Sequence, residues 1–205
     1  PGMYEYIIAR TKLIDNLFEN LSQDIEQVLI LGAGFDSRAI RFQDNLHNAT
    51  VFEVDSPRTQ QIKMEKLSKR VELPENLSLI PADLDRESLT KVLEKNNFQE
   101  DKPCLVMLEG LTMFLEENSV EDLLKQITDS CGSGSIIVFD YLYSHALEDG
   151  RGIKGDVTQT VSDIGEKYKF GIEKGGAQDF IAQHDLDLLE ELDAKKLEDR
   201  FFSDV

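Results

Sequence analysis

The chain is poor in residues that staple, ligate or anchor. Its 205 residues include no tryptophan, two cysteines, three histidines and five prolines. Cys104 and Cys131 lie far apart in sequence, and neither they nor His47, His145 and His184 show metal-ligand spacing, so no metal site is expected. Unpaired thiols in an apolar context make a reducing cytoplasm the expected setting. No stretch approaches the roughly 18 unbroken apolar residues of a membrane span, and no basic-then-apolar leader opens the chain. Basic side chains are also scarce: 22 Lys and Arg against 40 Asp and Glu give a formal net charge of -18. That balance speaks against nucleic-acid phosphates or an anionic membrane as partner, and fits a small molecule or a peptide. The length suits one domain with a core that needs no staples. The first residue is Pro1 rather than an initiator methionine, so a fragment is expected.

What is present is organised around Gln27-Val28-Leu29-Ile30-Leu31-Gly32-Ala33-Gly34-Phe35-Asp36-Ser37-Arg38. An apolar run, then Gly-x-Gly, then a helix-competent segment reads as a buried parallel strand turning into a helix. Gly32 and Gly34 allow a tight turn and close approach of a ligand, having no Cβ. A second strand, Thr50-Val51-Phe52-Glu53-Val54-Asp55, ends in an acid placed to hold ribose hydroxyls. A dinucleotide would want a third glycine and an anion-friendly helix start for its pyrophosphate. Ser37 stands at that glycine position and Asp36 adds negative charge beside it. S-adenosylmethionine, with a sulfonium, an ammonium and one carboxylate, suits such a turn better, although Asp36 also fits as a partner of the helix dipole.

Along the rest of the chain strands and helices alternate. Met3 to Leu21 carries a helical stripe of Ile7, Ile14, Leu17, Phe18 and Leu21. A helix from about Asp36 places Arg38 and Arg41 outside its apolar positions. Ser56 and Pro57 read as cap and first residue of a helix, basic from Gln60 to Val71. Leu77 to Leu84 is a third strand running into a loop, Glu87 to Lys95 a helix, and Cys104 to Glu109 a fourth strand. Val120, Leu123, Leu124 and Ile127 mark a helix, and Ser135 to Asp140 a fifth strand. Ile153, Val157, Val161, Ile164 and Tyr168 form a further helical stripe. Gln178 to Gln183 reads as a short helix, Asp187 to Leu192 as a sixth strand and Asp193 to Phe202 as a helix. The expected fold is α/β: a doubly wound, mostly parallel Rossmann-like sheet with helices on both faces, in a single domain over residues 1–205.

Ligands of such a sheet bind at the carboxyl ends of its strands, where Gly32, Gly34, Asp55, Asp83, Glu109 and Asp140 fall. Asp83 is equally an acceptor for an adenine amino group and a turn residue. Glu109, at a buried strand end, reads as a counter-charge for the ammonium of a methionine moiety. Arg10 could grip a carboxylate bidentately, but alone reads as a surface ion pair.

Arg10-Thr11 with Asp15, Leu31-Gly32-Ala33-Gly34-Phe35-Asp36-Ser37-Arg38, Glu53-Val54-Asp55-Ser56-Pro57, Ala82-Asp83-Leu84, Glu109-Gly110-Leu111, Phe139-Asp140-Tyr141 and Phe170-Gly171-Ile172 together resemble the leucine carboxyl methyltransferase family. The prokaryotic S-adenosylmethionine-dependent O-methyltransferase branch is the nearer likeness. The resemblance implies Arg10 on the donor's carboxylate and the Gly32 backbone on its methionine portion. It further implies Asp55 on the ribose, Asp83 and the Leu84 backbone on adenine, and Glu109 at the ammonium. Members usually carry an N-terminal helical lid before the Arg-Thr block and a last antiparallel strand after the Phe201-Phe202 region; both are expected to lie outside this chain.

The expected function is therefore methyl transfer from S-adenosylmethionine to a carboxylate or hydroxyl of a small molecule or peptide. A carboxylate acceptor is already ionised and needs no base, whereas a hydroxyl would want one, with His145 or Tyr141 the candidates in the loop after the fifth strand. No catalytic residue stands out. Two other readings remain: a nicotinamide-dependent oxidoreductase on the same fold, against which Ser37 and Asp36 count, and a non-catalytic adenosyl-binding protein.

Overall fold

Val28, Leu29, Ile30 and Leu31 are each fully buried, as are Cys104, Leu105, Val106 and Leu108 to within about a hundredth of their surface. Apolar runs without alternation are what strands covered on both faces require. In the computed structural model, which describes residues 2–21, 23–149 and 167–203, these runs are β1 (Gln27–Leu31) and β4 (Cys104–Leu108). They pair in parallel at the centre of a five-stranded sheet of order β3-β2-β1-β4-β5. The other strands are β2 (Thr50–Asp55), β3 (Leu77–Pro81) and β5 (Ile136–Phe139), and every pairing in this sheet is parallel. The chain winds outward from β1 through β2 to β3, then returns to the other side of β1 with β4 and β5. The switch point lies between β1 and β4, where a doubly wound sheet opens its ligand crevice.

This sheet belongs to one of two compact units, covering residues 18–112 and 118–140. Its helices include α2 (Arg38–Arg41), α3 (Pro57–Leu67), α4 (Leu89–Lys95) and α5 (Glu117–Ser130), α5 from its second residue on. Ser56 caps α3, its hydroxyl accepting from the Thr59 N–H at 3.3 Å, with Pro57 at the first helical position. Val120, Leu123, Leu124 and Ile127 are buried along α5, as the periodicity requires. The two thiols are neighbours: the contact with Cys131 and burial both push the Cys104 thiol up, while the same contact draws the Cys131 thiol down against the opposing effect of burial. The Cys104 N–H donates to the Ser135 hydroxyl at 2.9 Å, and the Gly132 N–H to the Lys102 carbonyl at 3.0 Å, which pins the end of α5 to the start of β4.

The other unit comprises residues 1–17, 113–117 and 141–205. It holds α1 (Met3–Glu19) up to Leu17, and β6 (Leu142–Tyr143) paired in parallel with β7 (Gly171–Ile172). It also holds α6 (His145–Asp149), α7 (Ala177–Ala182) and α8 (Ala194–Phe201), the last capped by the Asp193 carboxylate on the Lys196 N–H at 2.8 Å. The helical stripe from Ile153 to Ile164 lies outside the described residues.

Three expectations change. Asp187 to Leu192 is not a strand: Leu189 is 79% exposed, and no neighbouring strand takes up the segment's backbone among the described residues. Its leucines do not alternate with its acids (Asp187-Leu188-Leu189-Glu190-Glu191-Leu192), so no single face is apolar enough to seat it as a strand. The basic helix ends at Leu67 rather than Val71, and Lys63 within it is buried. The helix after the glycine turn begins at Arg38, not Asp36, and Arg38 is among the buried residues rather than on an outer face. No helix of the described residues is long and apolar enough to cross a membrane.

Candidate functional site

The turn after β1 is made of two residues that a side chain would strain. Gly32 has φ +64° and Gly34 φ +48°, values at which a Cβ crowds the following carbonyl. A Cβ on Gly32 would also stand 3.0 Å from a methyl of Leu111. The backbone closes the turn on itself: the Asp36 N–H donates to the Ala33 carbonyl at 2.7 Å, and the Arg38 N–H to the Asp36 carboxylate at 2.6 Å.

Asp55 ends β2 beside this turn. Its Oδ2 accepts from the Gly34 N–H and its Oδ1 from the Ser56 N–H, each at 2.6 Å. Two backbone donors fix the plane of the carboxylate, and each oxygen keeps a second lone pair for a ligand hydroxyl. Orientation of that acid is set before any ligand arrives.

On the other side of β1, Glu109 follows β4. The Arg38 guanidinium reaches it from across the sheet edge, Nη1 donating to Oε2 at 2.6 Å, and the same nitrogen donates to Asp36. The side chains of Arg38, Asp36 and Glu109 are 5%, 9% and 14% exposed. The next residue, Gly110, has φ +65° and donates its N–H to Asp140 at 2.7 Å, while the Thr112 hydroxyl donates to the Asp140 carbonyl. Asp140 thus shapes the loop after β4.

Beneath Asp55, Glu53 is 1% exposed and pairs with the buried Lys63 of α3. The Gln60 side-chain amide donates to the Glu53 carbonyl at 2.9 Å. Burial pushes the Glu53 carboxyl up, Lys63 pulls it down, and the charges of Asp36 and Asp55 push it up again. Four acids at or behind this edge (Asp36, Glu53, Asp55, Glu109) therefore share two buried cations, Arg38 and Lys63, which leaves the edge negative.

The outer strand end differs. Asp83 follows β3 as a turn residue: its carboxylate accepts from the Asp85 N–H at 3.2 Å and lies 3.4 Å from Arg86 Nε, the two side chains being 42% and 84% exposed. Leu84 is half-buried beside it. Gly32, Gly34, Asp55 and Glu109 are thus gathered on adjacent strand ends, with Asp83 and Leu84 on the next. Arg10 lies on α1 in the other unit, its guanidinium 5.5 Å from the centre of the Tyr6 ring.

In that unit the two base candidates are also placed. The Tyr141 hydroxyl donates to Glu191 Oε1, and burial and this carboxylate push the phenol well above its ordinary value. In this arrangement the phenol serves as a hydrogen-bond donor to Glu191. His145 stacks on Tyr143 with ring centres 5.7 Å apart.

Sequence reasoning missed Arg38 and Lys63 as partners of the site's acids. A signal was available for Lys63: Glu53 interrupts a strand that is otherwise apolar, and a carboxylate there demands a buried cation. Arg38 carried no such signal, because Glu109 is 71 residues away.

Known proteins resemble this chain in sequence and in fold. A protein of Mycobacteroides abscessus that carries the name of an S-adenosyl-L-methionine-dependent methyltransferase is 33% identical over 67% of this chain and 46% of its own length. A Bacillus subtilis protein of the same designation is 27% identical over 96% of this chain and 66% of its own. The chain thus spans about half to two thirds of the length of these relatives. Magnesium protoporphyrin IX methyltransferase from Synechocystis, solved with S-adenosylhomocysteine bound, superposes with a TM-score of 0.59 over 95% of this chain and 81% of its own at 9% identity, a likeness of fold. Residues 1–128, more than half of the chain, match the leucine carboxyl methyltransferase family, and the chain belongs to that family.

Proposed function

We propose that this protein binds S-adenosylmethionine at the carboxyl edge of β1, β2 and β4 and serves methyl transfer to an oxygen acceptor, a carboxylate in the first instance. The observation that carries the reading is the Asp55 carboxylate, fixed on the Gly34 and Ser56 N–H groups at the end of β2 beside a turn that carries an acid. A ribose needs that acceptor; a pyrophosphate is repelled by Asp36 and Glu109, whereas a ligand with a sulfonium and an ammonium is attracted. The family match and the names of the relatives support the same donor.

The residues present fit this group. Asp55 would take the ribose hydroxyls, the Gly32 backbone would face the methionine portion, and Glu109 would meet the ammonium. Asp83 and the Leu84 backbone would read adenine. The donor, when bound, supplies a methyl group activated toward displacement by the positive sulfur. The chain's own part is to hold donor and acceptor in contact, which is worth orders of magnitude in rate. A carboxylate acceptor is already ionised at neutral pH and needs no base, whereas a hydroxyl acceptor would need one.

Incubation with methyl-labelled S-adenosylmethionine and a panel of small carboxylic acids, carboxyl-terminal peptides and phenols tests the reading. The expected product is an alkali-labile methyl ester that releases methanol; an alkali-stable ether would move the acceptor to a hydroxyl. Parallel calorimetric titrations with S-adenosylmethionine, S-adenosylhomocysteine and NAD test the donor itself, and binding of NAD alone would overturn it. Tight binding of the adenosyl ligands without transfer to any acceptor favours the non-catalytic alternative.

A further inference from the structure

The guanidinium of Arg38 joins two places that the sequence keeps apart: the glycine turn after β1 and the end of β4. One nitrogen, Nη1, donates to Asp36 and to Glu109 Oε2, and also lies 3.8 Å from the Met107 sulfur. That nitrogen carries two hydrogens, so each carboxylate receives one. The turn does not need the guanidinium in order to close. Its backbone bonds from Asp36 to Ala33 and from the Arg38 N–H to the Asp36 carboxylate already close it, and the Ala33 N–H to Val54 carbonyl bond at 3.2 Å ties it to β2. What the guanidinium adds is the link to Glu109. Burying three charged groups costs desolvation that a purely structural contact could avoid with apolar side chains. Without the cation, two carboxylates on adjacent strand ends would repel each other and Glu109 would turn away.

We propose that Arg38 is a positioning residue of the donor site, one that aims the Glu109 carboxylate at the ammonium of the donor's amino-acid end. The inference rests on the S-adenosylmethionine reading above. It goes beyond that reading in naming a side chain that acts through Glu109 rather than on the ligand. Arg38 is then responsible for the discrimination between ligands that carry the amino-acid moiety and ligands that stop at the nucleoside.

The test is calorimetric affinity for two ligands, S-adenosylmethionine and 5'-methylthioadenosine, which lacks the amino-acid end. Arg38→Met is expected to weaken S-adenosylmethionine by about ten-fold or more and methylthioadenosine by less than about two-fold. Arg38→Lys is expected to recover most of the loss, because one ammonium nitrogen can serve both carboxylates as Nη1 does. On a Glu109→Gln background, Arg38→Met should have little further effect, the two residues acting as a unit. Should Arg38→Met fail to fold, Arg38→Gln removes the charge while keeping N–H donors and answers the same question. Equal losses for both ligands would make Arg38 a fold-keeping residue and overturn the proposal, as would an Arg38→Lys variant no better than Arg38→Met. A wild-type protein that binds methylthioadenosine and S-adenosylmethionine equally well also overturns it. A wild-type protein that binds neither removes the donor reading itself, a separate failure seen before any variant is made.

Discussion

The inner and outer strand ends of the five-stranded sheet carry the same kind of residue under different constraint. At the inner ends, Asp36, Glu53, Asp55 and Glu109 are each held by a buried cation or by backbone N–H groups. At the β3 edge, Asp83 sits 42% exposed in a turn of its own making. A carboxylate with ordered partners on low-dielectric ground presents a fixed charge at a fixed angle, which is what a preformed binding edge requires. A solvated turn acid presents neither. Identity of the side chain therefore says little; the strand it terminates says more.

The sharpest way to break this comparison is to remove a buried cation. Lys63→Met leaves Glu53, 1% exposed, without its partner, and should cost about 3–5 kcal/mol in urea unfolding. Glu53→Met with Lys63→Met should recover most of that, since paired removal leaves no orphaned charge. The cost should also depend on pH. Burial raises the Glu53 carboxyl from its ordinary 4.5, and Lys63 opposes the rise. A carboxyl raised in the folded state holds its proton more tightly there than in the unfolded chain. Its contribution is complete below the unfolded value and is lost as pH rises through the folded one. Taking away Lys63 extends that window upward, so the deficit of the variant should grow as pH rises above the ordinary carboxylate range. A flat deficit would mean that Glu53 is not truly cut off from water.

A smaller effect is expected where the constraint is steric. Gly32→Ala places a Cβ at φ +64° and 3.0 Å from the Leu111 side chain. The strain should cost about 1–2 kcal/mol of stability, with the Leu111 side chain able to give way. A neutral outcome would show that the turn relaxes, and would weaken the case that the inner edge is rigid.

Much of this edge was legible before any coordinates. The apolar runs of β1 and β4, the two glycines and Asp55 each follow from local rules: burial on both faces, positive φ, and a strand ending in an acid. Ser56 and Pro57 marked the start of α3 for equally local reasons. What escaped was long-range pairing. Arg38 looks like a surface residue on a short helix until the fold brings Glu109 beside it, and for Lys63 the acid in β2 signals that a buried cation is needed without saying which lysine of α3 supplies it. The Asp187–Leu192 segment failed in the opposite sense: its three leucines suggested a strand, but they do not alternate with its acids, and no neighbouring strand among the described residues accepts its hydrogen bonds.

Asp83 is where the comparison can be sharpened with the least disturbance. Asp83→Ala removes one acceptor for the Asp85 N–H and an exposed pairing with Arg86, so stability should stay within about 0.5 kcal/mol of the parent. Binding then reads its role without interference from folding. If the carboxylate accepts from the adenine amino group, adenosine affinity should fall by about three-fold or more. Inosine, which carries an acceptor oxygen in place of that amino group, has no such bond to lose and should bind the variant at least as well as the parent. Equal behaviour of the two nucleosides would leave Asp83 a turn residue, and would confine ligand recognition by acids to the inner strand ends, where partners hold them in place.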